Sequence, residues 1–98
     1  MNNIAYIDLT NQKVTIKDIP HKLQQMFLGG RGINMYLLYN HVKKGVQPLS
    51  PENTLIFGAG LLTGMHVLAS ARYNVSGRSP HSGLIGDSNA GGFFGPEL

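Results

Sequence analysis

The shortness of the chain constrains its fold more than any single motif does. With 98 residues it can form at most one domain. A domain of this size buries only about 60–65% of the surface that its unfolded chain exposes. So small a core could not enclose a sizeable cofactor on all sides. Any large ligand must therefore be shared with other protein.

Composition argues against several classes of function. The chain has no cysteine, so it cannot ligate an iron–sulfur cluster or a thiolate zinc, and it has no disulfides. Its eight basic residues are scattered and give a net charge of +3, whereas nucleic-acid-binding domains have a clustered basic surface. Neither a secretory signal nor an apolar run of about 18 residues is present. We therefore expect a cytoplasmic protein without a nucleic-acid or membrane partner.

The residue pattern predicts an α+β domain dominated by strands. Two β-prone segments, residues 4–9 and 14–19, flank a polar connection and predict an opening β-hairpin. Apolar residues at steps of three and four predict two helices, over 21–28 and 32–42. Strands are then predicted over 54–59, 73–77 and 83–88, the last two forming a second hairpin.

Two glycine-rich motifs have a functional and a structural interpretation. Gly58, Gly60 and Gly64 follow a predicted strand and form a loosened dinucleotide-binding fingerprint, but the required helix and acidic residue do not follow at the usual distances. The alternative is tight packing between strand and loop. Residues 29–32, Gly-Gly-Arg-Gly, precede the second helix, where backbone N–H groups can bind an anion. The alternative is that these glycines only separate two helices.

A third candidate site combines Arg72 with the segment Asn89, Ala90, Gly91 and Gly92. Small residues let main-chain groups approach a ligand, and a guanidinium supplies the charge that pairs with phosphate. From the residues alone, Arg72 could equally be a solvent-facing cation and Asn89 a turn residue. The histidines share no metal-binding spacing and no nucleophile–base pair is present, so no catalytic residue is predicted.

Five sequence blocks, in order, resemble the start of the tungsten-containing aldehyde:ferredoxin oxidoreductase family. These blocks are FLGGRGIN at 27–34, PLSPEN at 48–53, GLLTG at 60–64, RYNV at 72–75 and SNAGGFFGPEL at 88–98. The resemblance covers nearly the whole chain. Five blocks in register are far more specific than any one glycine motif.

The resemblance implies an enzyme that oxidises aldehydes to carboxylates at a tungsten held by two pterin dithiolenes. Electrons would pass through a [4Fe–4S] cluster to ferredoxin, and the N-terminal domain would be a β-rich, saddle-like support for the bis-pterin cofactor. By position, Arg72 would contact a pterin phosphate, and the backbone carbonyl of Asn89 would bind the magnesium that bridges the two phosphates. Ala90, Gly91 and Gly92 would line the pterin.

Relative to that family, the chain lacks the rest of the saddle, the acid/base residues near the metal and every cluster cysteine. We therefore expect residues 1–98 to be a partial N-terminal tungstopterin-binding domain, inactive alone, that shares its cofactor with the missing domains. One alternative is a stand-alone small subunit that pairs with a separate catalytic chain, which would supply the remaining domains in trans. A dinucleotide-binding domain is a third, less favoured interpretation.

Overall fold

A computed structural model describes residues 3–98 and confirms the α+β architecture. The chain forms a two-stranded sheet, two helices, a three-stranded antiparallel sheet and a short final helix. In chain order the elements are β1 (Asn3–Asp8), β2 (Lys13–Asp18), α1 (His21–Phe27), α2 (Gly30–His41), β3 (Ile56–Ala59), β4 (Tyr73–Arg78), β5 (Ile85–Ala90) and α3 (Phe94–Glu97). None of the helices in residues 3–98 is both long enough and apolar enough to cross a membrane.

The predicted opening hairpin is confirmed, with its loop at residues 9–12. The Asp8 carboxylate closes this loop by accepting hydrogen bonds from the Asn11 side-chain amide (2.8 Å) and the Thr10 backbone N–H (3.1 Å). These bonds favour the ionised carboxylate, and the hydrogen bond from the Asn11 side chain contributes most to lowering the pKa of Asp8. The loop therefore depends on a charged group at an exposed position.

The hairpin loop should loosen in acid. Because the folded pKa of Asp8 is lowered, its stabilising effect is present above the ordinary value of 3.8 and is lost as the pH falls through the lower folded value. NMR titration should show the Thr10 and Asn11 amide resonances moving in that window. Asp8→Asn should abolish the movement, whereas Glu52→Gln, a control outside the hairpin, should not. An unchanged titration in Asp8→Asn would refute the assignment.

The two predicted helices are confirmed, with shifted ends. Helix α1 ends one residue early because Leu28 has a positive φ of 61°, which does not continue the helix. Helix α2 begins two residues earlier than predicted, at Gly30, and ends at His41. Among the described residues, the buried apolar side chains are few: Leu23, Ile33, Leu38 and Val46.

The three-stranded sheet lies between α2 and α3. Strand β4 is central, and both β3 and β5 pair with it antiparallel. The sequence pattern did not predict helix α3. The ring centroid of its Phe94 lies 4.8 Å from that of Tyr73 and 6.3 Å from that of Phe57. The predicted second hairpin is confirmed, but β5 starts at Ile85 rather than 83, because the turn before it includes Gly83 with φ of 73°.

The contact between α2 and the sheet is polar at its centre. Asn34 of α2 is 1% exposed, and its amide Nδ2 donates to the Asn74 backbone oxygen and to Asn74 Oδ1, each at 3.0 Å. The same amide approaches Ser76 Oγ at 3.3 Å and the Ile56 backbone oxygen at 3.4 Å. A Cβ at Gly58 would lie 2.2 Å from Asn34 Oδ1. Glycine at this strand position is therefore required by the amide packed against it.

Gly58→Ala should destabilise the chain by about 1–3 kcal/mol, the usual cost of inserting a methyl group into a filled site. The added Cβ has no room unless Asn34 leaves its hydrogen bonds. Chemical denaturation of the purified chain measures this loss. Gly77→Ala is the matched control in β4, because its Cβ would meet no atom closer than 3.4 Å. Equal stability of the two variants would contradict the packing argument.

Candidate functional site

The sheet register brings Arg72 next to the segment that contains Asn89. Tyr73 pairs with Ala90 across β4 and β5, so Arg72 and Gly91 are adjacent at the same end of the sheet. Asn89 and Ala90 belong to β5, and Asn89 is therefore not a turn residue. Two parts of the predicted site that are distant in sequence are thus neighbours in the fold.

The pairing pattern directs the backbone of Asn89 outward. The Arg72 carbonyl accepts a hydrogen bond from the Gly60 N–H at 3.4 Å, so the backbone groups of Arg72 face the β3 side. In antiparallel pairs this direction alternates along a strand, and the Asn74–Asn89 pair therefore has no main-chain hydrogen bonds of its own. Strand β5 is the outer strand of the sheet. The Asn89 carbonyl consequently points to an open edge.

The Asn89 side chain, in contrast, is held by the sheet. Asn74 Nδ2 donates to Asn89 Oδ1 at 3.1 Å and to Asp87 Oδ2 at 2.9 Å. Asp87 also lies 3.6 Å from an Arg31 guanidinium nitrogen, in an ion pair whose side chains are 30% and 66% exposed respectively. A pair this exposed contributes little to stability. The amide of Asn74 is the better-protected link to β5.

The backbone carbonyl of Arg72 is hydrogen-bonded within the chain, whereas its guanidinium is exposed to solvent. The Arg72 carbonyl also accepts from Thr63 Oγ1 at 3.2 Å. The side chain is exposed, and within residues 3–98 it makes no hydrogen bond or ion pair. It borders a groove of about 460 Å³ between the start of α2 and the loop that precedes β4. The groove is lined by Leu28, Gly29, Gly60, Leu61, Leu62, Thr63, Val67, Leu68, Ala69, Ser70 and Arg72.

The residues after β5 form an open glycine surface. A Cβ added at Gly91 or Gly92 would meet no atom within 4 Å, and Gly92 has a φ of 91°. Phe93, which follows, is 88% exposed. The backbone here is open to a flat ligand, and Arg72 and Asn89 belong to the neighbouring strand ends.

The two other glycine motifs have structural explanations. A Cβ at Gly29 would lie 2.9 Å from the Leu61 backbone nitrogen, so this glycine permits close packing between α2 and the loop after β3. Between β3 and β4 the described chain forms turns rather than a helix, and these strands are antiparallel. A dinucleotide-binding unit requires parallel strands joined by a helix. The fold therefore does not support that third interpretation.

The described residues supply oxygen and cationic groups rather than a metal cluster. Across positions 3–98, no three His, Cys, Asp or Glu side chains are grouped so that they could hold a metal ion. A backbone carbonyl and a guanidinium suit a hard cation and the phosphates bound to it. This donor set fits a magnesium-bridged phosphate group.

Residues 4–98 match the family described as aldehyde ferredoxin oxidoreductase, N-terminal domain. The chain belongs to this family. It is 41% identical over 92 residues to the tungsten-containing aldehyde ferredoxin oxidoreductase of Pyrococcus furiosus and 39% identical over 92 residues to that of Thermococcus kodakarensis. Each alignment covers 94% of this chain and 15% of the relative. The family prediction is confirmed.

A solved structure shares the fold almost completely. It is described as the active site complex BamBC of benzoyl coenzyme A reductase in complex with 1,5-dienoyl-CoA. The TM-score is 0.95 at 38% identity, over 98% of this chain and 15% of that one. The chain thus corresponds to the N-terminal domain of the family and spans about 15% of the length of these curated relatives.

Removing the Arg72 guanidinium should weaken phosphate binding at this edge. With Mg²⁺ and pyrophosphate as the probe, Arg72→Ala should raise the dissociation constant about tenfold or more, because it removes a charge-assisted hydrogen bond. NMR titration of the Gly91 and Gly92 amides measures this constant. Lys22→Ala, which removes an exposed cation from α1, is the control for net charge. Equal weakening in both variants would contradict a specific role for Arg72.

Proposed function

We propose that residues 1–98 form the N-terminal, cofactor-binding portion of a tungstopterin oxidoreductase that oxidises aldehydes to carboxylates and passes the electrons to ferredoxin. One observation supports the proposal: Arg72, whose side chain is exposed, lies at the same end of the sheet as Asn89 and the open glycines. The relatives named as tungsten-containing enzymes support tungsten as the metal of the cofactor.

Each residue has a binding role in this proposal. Arg72 binds a pterin phosphate, since its planar guanidinium can pair with two phosphate oxygens. The Asn89 carbonyl coordinates the magnesium that bridges the phosphates, because Mg²⁺ prefers oxygen ligands. Ala90, Gly91 and Gly92 present a backbone without large side chains, which lets the pterin approach closely.

The residues of this chain bind and orient; they do not react. When bound, the tungsten centre supplies the two-electron oxidation that converts an aldehyde and water into a carboxylate. The 98 residues contain no cysteine, so the [4Fe–4S] cluster of the complete enzyme must be held by other protein. Acid/base residues near the metal must come from the same source.

Exposed apolar surface supports a site shared with other protein. Leu9, Leu49 and Leu68 are 84%, 87% and 97% exposed, against the four buried apolar side chains of the described chain. Single exposed apolar residues are common on protein surfaces, but a core this small leaves most of the apolar area uncovered. Covering protein can lie in the same polypeptide or in a separate catalytic chain. The first case is favoured by the matched relatives, in each of which the aligned segment is 15% of one longer chain.

Metal analysis tests the proposal. The 98-residue chain, expressed with tungstate, should hold no stoichiometric tungsten, because its half-site leaves the cofactor exposed. Co-expressed with the part of the Pyrococcus furiosus relative beyond the aligned segment, it should form a tungsten-containing complex whose metal content falls in Arg72→Ala and is retained in Lys22→Ala.

The possible results separate the parts of the proposal. A tungsten-replete 98-residue protein would overturn the shared site, and a stable complex without tungsten would overturn the cofactor assignment. Purification from the source organism distinguishes the two arrangements. A co-purifying chain that carries the cluster cysteines indicates a small subunit; its absence indicates a portion of one polypeptide.

A further inference from the structure

The main-chain pairing of β5 ends close to the proposed site. Tyr73–Ala90 is the last pair that the register records in this sheet, and no pairing is recorded for Gly91 and Gly92. The neighbouring Asn74–Asn89 pair lacks main-chain hydrogen bonds, because the Asn89 backbone faces the open edge. At this pair a side-chain contact is the direct link between β4 and β5, and it adds to the main-chain bonds of the flanking pairs Tyr73–Ala90 and Val75–Ser88.

Asn74 supplies that contact from a buried position. Its side chain is 2% exposed, and its Nδ2 donates to Asp87 and to Asn89. An amide nitrogen has two hydrogens, so these two acceptors on β5 use its full donating capacity. Because an unsatisfied buried donor is costly, the amide has a strong preference to keep both partners.

The orientation of the Asn74 amide is in turn determined from the α2 side. Asn74 Oδ1 accepts from Asn34 Nδ2 at 3.0 Å and also from the Ser76 hydroxyl. With the oxygen held by these two donors, the nitrogen must face β5. The reversed amide would place two donors against Asn34 and an oxygen against the Asp87 carboxylate. The direction of the amide is thus set by its neighbours.

We infer that Asn74 is a positioning residue for the proposed cofactor edge. Through its hydrogen bond to the Asn89 side chain, it holds the outward carbonyl of Asn89 and the glycines that follow in the geometry that binds the magnesium-bridged phosphates. Asn34 acts one step further back, by orienting Asn74. This inference rests on the proposed function, and it assigns the Asn89 side chain a role distinct from that of its carbonyl.

The test uses the 98-residue chain with Mn²⁺ and pyrophosphate, in which Mn²⁺ is a paramagnetic substitute for Mg²⁺. In the wild type, the amide resonances of Gly91 and Gly92 should broaden selectively. Asn89→Ala keeps the backbone carbonyl and removes the acceptor of the Asn74 hydrogen bond. The excess line broadening of the Gly91 and Gly92 amides should be about fivefold smaller in Asn89→Ala than in the wild type, as expected for one lost hydrogen bond. Ser88→Ala, on the opposite face of β5, should behave as the wild type.

A second pair of variants acts from the buried side. Asn74→Ala removes the donor to Asn89. Ser76→Ala removes only one of the two donors to Asn74 Oδ1, leaves the one from Asn34 and touches no atom of Asn89. Only the first should lose the broadening at Gly91 and Gly92, with the dispersed amide signals of the β1–β2 hairpin showing that the chain remains folded. If Asn74→Ala does not fold, the comparison of Asn89→Ala with Ser88→Ala decides the question.

A ligand-free measurement separates failure of this inference from failure of the proposed function. Hydrogen exchange at the Ala90 amide should be about fivefold faster in Asn89→Ala than in Ser88→Ala, since the local hydrogen bond is gone. Equal exchange would overturn the positioning role. Equal broadening in the two variants would overturn it too, while leaving the proposed function intact. Wild-type chain without broadening at Gly91 and Gly92 would count against the proposed function, and exchange would then decide the positioning role alone.

Discussion

The arrangement of the three-stranded sheet depends on the hydrogen bonds made by one buried amide, that of Asn34. An aliphatic side chain could fill the same space, but its packing would not specify direction. The Asn34 amide satisfies the Asn74 backbone oxygen and Asn74 Oδ1 at 3.0 Å each. In a buried environment such bonds are strong, and leaving them unmade is expensive. They therefore define where α2 lies on the sheet.

The same bonds connect α2 to the outer edge of the sheet. Asn34 orients Asn74, and Asn74 donates to Asp87 and Asn89 on β5. Because each donor faces an acceptor, displacement of any member would leave another unsatisfied. The polar cluster thus links the helix to the strand whose outward edge forms the candidate site. Because so few apolar side chains are buried among the described residues, these hydrogen bonds contribute a larger part of the packing between helix and sheet than they would in an ordinary core.

Local patterns predicted the elements of this fold better than their limits. Both hairpins and both main helices follow from periodicity and turn residues, and the family follows from five ordered blocks. The placement of Asn89 within β5 was not predictable locally, because it depends on pairing with Asn74. The role of Asn34 was also missed. Two features of the sequence indicate it. Asn34 lies four residues before Leu38 and therefore on the same face of the helix. Gly58 interrupts a predicted strand, which is typical of a position where another group approaches the backbone closely.

The hairpin and the candidate site both have groups that the described residues leave uncovered. In the β1–β2 hairpin, Ile7, Val14 and Ile16 lie on one face and are 63%, 59% and 66% exposed. A two-stranded sheet with an uncovered apolar face is only marginally stable in water. The free edge of β5 is equally unusual, since outer strands are normally covered or protected. The hairpin face can be covered by apolar side chains, whereas the β5 edge offers main-chain groups to polar ligands. A phosphate-bearing cofactor at β5 and further protein over the hairpin would therefore together complete the domain.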